Sequence, residues 1–247
     1  IDTGIINMFY FYSIKAKATV DSASVSLSVP IEPGLLVQAT EKAMKRNFFF
    51  SLTPVLDEQG RVFLKENQTP VAVYPDDGTY CDLGTKDSNG YLFKVFYSQH
   101  TIRLEVFHVL TDGFGGIVFL KELVYQYLRL KYPEALAGEK DRISPDVYFD
   151  KEDSYLKNYK KPVRERKKYK SSHAVTLQGE KLMGSAVGVI QGSMRIDLLK
   201  AACKKYGVTI NQYLVGAYTY AIYKGYLHSR GSDIPISCCV PVNLRPY

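Results

Sequence analysis

Residues 91–132 constrain the fold more than any other part of the chain. "YLFKVFYSQ" and "TIRLEVFH" alternate in hydrophobicity and read as an antiparallel hairpin turning near His100. Past a turn with three glycines, "GIVFLKELVYQYLRLKY" changes period. It places Ile117, Leu120, Val124, Tyr127 and Leu128 on one helical face, with Lys121, Glu122 and Arg129 elsewhere and Pro133 closing the segment. Strand, strand and helix in this order exclude an all-helical or all-β chain, so the class is α/β or α+β.

The remaining elements fit that class. "SASVSLSV" (22–29) has the period of a half-buried strand. In the stretch after it, Glu32 and Pro33 suit a helix start and Leu36, Ala39 and Ala43 form an apolar stripe. "RVFLKEN" (61–67) reads as a strand, and 76–89, rich in Asp, Gly, Thr and Ser, reads as loop. Beyond a charged, Pro-containing stretch at 134–172, Asp197 is expected to cap a helix that buries Leu199, Ala202, Cys203 and Tyr206 and ends at Gly207. Thr209 and Gln212 form a capping box for "INQYLVGAYTYAIYKGYL", which is apolar nearly all round and is therefore expected to be largely buried. "PISCCVPVNLRPY" begins as a strand. There is no internal repeat. The expected organisation is a first subdomain over 1–172, ending in the basic connector, and the opening of a second over 173–247.

Charge narrows the function classes. The net charge is +7, yet "KNYKKPVRERKKYK" (157–170) holds eight Lys or Arg against Glu165 alone, so the rest of the chain is neutral. A run of that kind reads as a solvated linker rather than as the folded cationic face of a nucleic-acid binder. Cys81, Cys203, Cys238 and Cys239 show no CxxC spacing and no zinc-completing histidine. They read as buried, reduced thiols in a cytoplasmic protein without a metal. No apolar stretch reaches the roughly 18 residues that span a membrane. The chain opens on Ile1 and closes on Tyr247 within a strand-like run, so both ends read as cut.

The residues with chemistry lie in "EVFHVLTDGFGG" (105–116). Period 2 puts Ile102, Leu104, Val106 and His108 on one face and Arg103, Glu105 and Phe107 on the other. His108 is then the last inward residue of its strand, at the lip of the core, where a neutral imidazole can take a proton from a hydroxyl, thiol or amine. Asp112, in the following turn, either orients His108 directly or braces the loop through a buried cation. Gly113 allows backbone conformations denied to other residues, and Gly115 and Gly116 open the helix. His100, His173 and His228 have no such surroundings.

"HVLTDG" is similar to the His-x-x-x-Asp-Gly motif of the chloramphenicol-acetyltransferase-like superfamily of acyltransferases, which includes condensation domains and alcohol acetyltransferases. "KKYGVTINQYLVGAYTYAIYK" and "CVPVNLRPY" follow in the order that group shows, and the closest likeness is to its bacterial alcohol acetyltransferase-like branch. The resemblance implies a two-layer α/β sandwich with a mixed sheet flanked by helices. It implies that His108 is the general base for attack by an alcohol or amine on the thioester of acyl-CoA, acetyl-CoA in the simplest case. It further implies that Asp112 is a structural brace paired with Arg245. Where peptide-forming condensation domains carry a second histidine, this chain has Phe107, which favours simple acyl transfer over carrier-protein chemistry. The group has a second half of similar size with an Asp-Phe-Gly-Trp-Gly motif. This chain has no Trp, and such a fragment alone is expected to lack the acyl-CoA tunnel and be inactive. The alternatives are a carrier-protein-dependent condensation-type domain and a non-catalytic binding protein on the same scaffold.

Overall fold

The computed structural model describes residues 20–78, 82–138, 173–180, 192–228, 231 and 234–240. In chain order its elements are β1 (Val20–Ser26), α1 (Pro33–Arg46), β2 (Leu52–Leu56), β3 (Val62–Glu66), β4 (Val73–Pro75), β5 (Phe93–Tyr97), β6 (Thr101–Phe107), α2 (Gly113–Lys131), α3 (Ile196–Tyr206) and α4 (Ile210–Ile222). The chain divides into two compact units, Ile1–Asn158 and Tyr159–Tyr247.

In the first unit β1, β6, β5 and β4 form one sheet in that order, antiparallel except for the β4–β5 pair. It is a mixed sheet flanked by helices, an α/β architecture. Alternation decides which side each residue takes. Ile102, Leu104 and Val106 of β6 and Phe93 and Val95 of β5 share the face that α1 and α2 cover. The helices meet it with Leu36, Ala39 and Ala43 from α1 and Phe119, Leu123 and Tyr127 from α2. Phe119 stacks on Phe50 with centroids 3.7 Å apart, and Phe93 meets both rings edge-on. Pro33 occupies the first turn of α1, where its missing N–H leaves no bond unmade. The Glu32 N–H donates to the Tyr127 hydroxyl at 2.9 Å, fastening the start of α1 to α2.

Four residues of the expected α2 stripe pack on the core, Leu120 and Tyr127 buried and Val124 and Leu128 partly so, while Ile117 is 44% exposed. The buried arc is wider than expected because the helix is covered on two sides, by the sheet and by α1: Phe119 and Leu123 join the core, and buried Glu122 pairs with Arg46 at 3.0 Å while accepting from Gln126. β2, which the sequence reading does not include, holds Pro54; among the described residues it pairs with β3 alone in a two-stranded ribbon, where a strand can do without one backbone donor. Leu52 and Leu64 of that ribbon join Leu92 and Phe107 in a second, smaller apolar cluster.

In the second unit, Arg195 rather than Asp197 precedes α3. Asp197 sits in the first turn and receives two bonds from the Arg195 guanidinium. Gly207 ends α3 in the left-handed conformation, at φ 65°, as the glycine there suggests. The Thr209–Gln212 capping box is present in both directions. Burial differs from expectation, since Tyr206 is exposed and no residue of α4 is buried. Residues 234–240 form no regular strand, and Cys238 and Cys239 are exposed, while Cys203 is buried. The apolarity of α4 was read as burial because composition records what a helix could cover, not what lies against it. Cys81, the basic run 157–170, the expected boundary at 172 and Arg245 lie outside the described residues.

Candidate functional site

His108 stands one residue beyond the end of β6, at the start of the turn into α2. It is not enclosed at the core lip. Its side chain is 41% exposed. Two groups meet its Nδ1. The Thr111 carbonyl oxygen is 3.2 Å away and Oδ2 of Asp21 is 3.0 Å away. Both are oxygen acceptors, and although only the Thr111 carbonyl is within hydrogen-bond geometry, the neutral ring suits this edge with its proton on Nδ1. That tautomer leaves the lone pair on Nε2.

Asp21 was missed in the sequence, and its place follows from register. Asp21 lies directly opposite Val106, so His108 is its diagonal neighbour on the same sheet face. The signal was available: period 2 groups Asp21 with Ala23 and Val25, which pack against the core, and a carboxylate on such a face calls for a partner.

Asp112 is the N-cap of α2. Its extended backbone lets Oδ1 accept from the Gly115 N–H at 2.9 Å, satisfying one of the helix's free donors. Gly113, not Gly115, is the first residue of the helix, and its φ is not positive. A Cβ there would meet only the Asp21 carboxyl, at 4.0 Å, so the backbone freedom expected of this glycine is not in use. Gly115 is the constrained position. A Cβ would stand 1.8 Å from Thr111 Oγ1 and 3.1 Å from Thr111 Cβ, and Thr111 is the residue whose carbonyl holds the His108 ring.

Asp112→Ala is expected to lower unfolding free energy by about 1 kcal/mol through loss of the cap, read from the urea midpoint. Asp112→Asn keeps an acceptor oxygen and isolates the charge. An equal loss in both variants would assign the effect to the charge rather than to the cap.

Behind the site, the other face of β6 carries a second polar group of residues. Arg103 donates to both oxygens of Asp76, at 2.8 and 2.7 Å, pairs with Glu105, and lies over the Phe96 ring at 4.1 Å. Glu105 is 0% exposed, and its Oε2 makes no hydrogen bond. Burial pushes the Glu105 carboxyl above the usual carboxylate range, while the bonds from Arg103 hold Asp76 below it. A groove of about 650 Å³ among Thr53, Asn67, Thr69, Thr85 and Asn89 includes neither His108 nor Asp112. Among the described residues, no cluster of His, Cys, Asp and Glu could hold a metal ion, and no helix is long and apolar enough to cross a membrane.

No protein-family model matches the sequence, and no curated protein matches it. Similar solved structures include polyketide synthase associated protein 5 from Mycobacterium tuberculosis, at 15% identity and TM-score 0.40, covering 58% of this chain and 34% of that one. The starter condensation domain of rhizomide synthetase RzmA matches at 12% identity and TM-score 0.42, covering 53% of this chain and 38% of that one. The first condensation domain of the calcium-dependent antibiotic synthetase matches at 14% identity and TM-score 0.39, covering 52% and 37%. The chain thus spans little more than a third of the length of the structures it resembles.

Proposed function

We propose that this chain carries the general base of an acyltransferase that moves an acyl group, acetyl in the simplest case, from acyl-CoA to an alcohol or amine. One observation carries the reading: the Nδ1 edge of His108 bonds the Thr111 carbonyl and faces the Asp21 carboxylate, which leaves Nε2 to take a proton at an exposed strand end. In the reaction an acceptor O–H or N–H gives its proton to Nε2 as its heavy atom attacks the thioester carbonyl. The tetrahedral intermediate then collapses, the C–S bond breaks, and the imidazolium returns the proton to the leaving thiolate. Asp112 fixes the start of α2 and so the turn that carries the base, with Arg245 as its proposed ionic partner. No metal takes part in this scheme, and the proposed setting is cytoplasmic.

Transfer from a carrier protein is the second reading. Against it stands Phe107, buried in the apolar cluster with Leu52, Leu64 and Leu92, where it can neither accept nor donate a proton. The test takes this chain together with the second half that the resemblance implies, supplies acceptor alcohols and amines with either free acetyl-CoA or an acetylated phosphopantetheinyl carrier, and follows thiol release together with product mass. Turnover with free acetyl-CoA is the expected result. Turnover with the carrier alone would select the second reading, and product formation with neither donor would overturn both.

A further inference from the structure

We infer that Asp21 is the positioning residue of His108: its carboxylate keeps the ring proton on Nδ1 and offsets the positive charge that forms when Nε2 takes a proton. The catalytic half of this inference rests on the acyl-transfer reading, whereas the tautomer half does not. Asp21 Oδ2 is shielded from solvent and makes no hydrogen bond, yet it lies 3.0 Å from Nδ1. A shielded carboxylate oxygen without a donor is unfavourable, and the imidazole N–H is a donor within reach. The Thr111 carbonyl favours the same tautomer but is only a dipole. Asp21 places a carboxylate 3.0 Å from the same ring atom, where its charge offsets the one that forms as the proton moves.

The experiment labels the histidines of the chain with ¹⁵N and identifies the His108 signals by their loss in His108→Gln. The wild-type ring should show a protonated Nδ1. Asp21→Ala should shift it towards the opposite tautomer, and Asp21→Glu should hold it. Under turnover, Asp21→Ala should lower kcat by about 10–10²-fold with KM unchanged, less than neutralising a buried triad carboxylate, since Asp21 is half-buried. Asp21→Glu should recover part of the loss, which a merely structural role would not predict. Unchanged ¹⁵N shifts in Asp21→Ala overturn the inference whatever the kinetics, and so does a changed tautomer with wild-type kcat. Should His108→Ala retain full activity, the acyl-transfer reading falls, while the tautomer comparison still decides the role of Asp21.

Discussion

Arg103→Met is expected to cost about 3–5 kcal/mol of folding free energy near neutral pH, the usual loss when one partner of a buried ion pair is removed. The guanidinium serves two carboxylates at once, Asp76 through two bonds and the fully buried Glu105 through a third. Methionine fills similar volume over Phe96 but removes the cation that bonds both acids, leaving Glu105 only Lys94 opposite it on β5. The pH dependence has a definite sign. Asp76 is held below its ordinary value, so its contribution is present above the unfolded carboxylate range and lost as pH falls through the folded value. Glu105 is raised by burial, so its contribution is present at low pH and lost as pH rises through the folded value. Without Arg103 both acids fold more readily when protonated. The deficit of the variant, measured by urea unfolding, should therefore be largest near pH 7 and smaller near about pH 4. A variant as stable as the wild type at neutral pH would show that the face behind the site does not depend on this cation.

In a protein that also carries the second half the resemblance implies, His108→Ala is expected to lower acyl transfer by about 10²–10⁴-fold, the ordinary worth of a positioned general base. The loss belongs in kcat and equally in kcat/KM, because Nε2 acts on a proton that moves only as the transition state forms. Stability should change little, since the ring lies largely outside the core and β6 ends before it. Wild-type turnover in a folded His108→Ala protein would remove the base assignment. Lost turnover accompanied by a collapsed urea midpoint would instead make the residue structural.

Sidedness was legible in the sequence; coverage was not. Period 2 put Ile102, Leu104 and Val106 on the core face, where they are, and put Arg103 and Glu105 on the other. It carried no sign that the second face is also closed off at Glu105, because alternation assigns a residue to a side without saying what lies over that side. The same limit explains α4, whose apolar surface is exposed, and Ile117, which the two-sided packing of α2 leaves outside. Local chemistry read better: Pro33 at a helix start, Gly207 at a helix end and the Thr209–Gln212 capping box depend only on near neighbours. Within the site, His108 and Asp112 were found as candidates from one short motif. Asp21 was not, because its nearness to His108 comes from strand register between distant segments. That register also altered the expected geometry. Nδ1 is met by Asp21 and Thr111, while Asp112 Oδ1 is engaged at the helix N-terminus.

Rapid mixing of acetyl-CoA with a protein that carries this chain and the second half the resemblance implies, with and without an acceptor alcohol or amine, tests the central claim most directly. The account predicts that thiol is released only when acceptor is present, that no acyl group becomes attached to the protein, and that folded His108→Gln abolishes the release. Thiol appearing without acceptor, or persisting unchanged in His108→Gln, would contradict it.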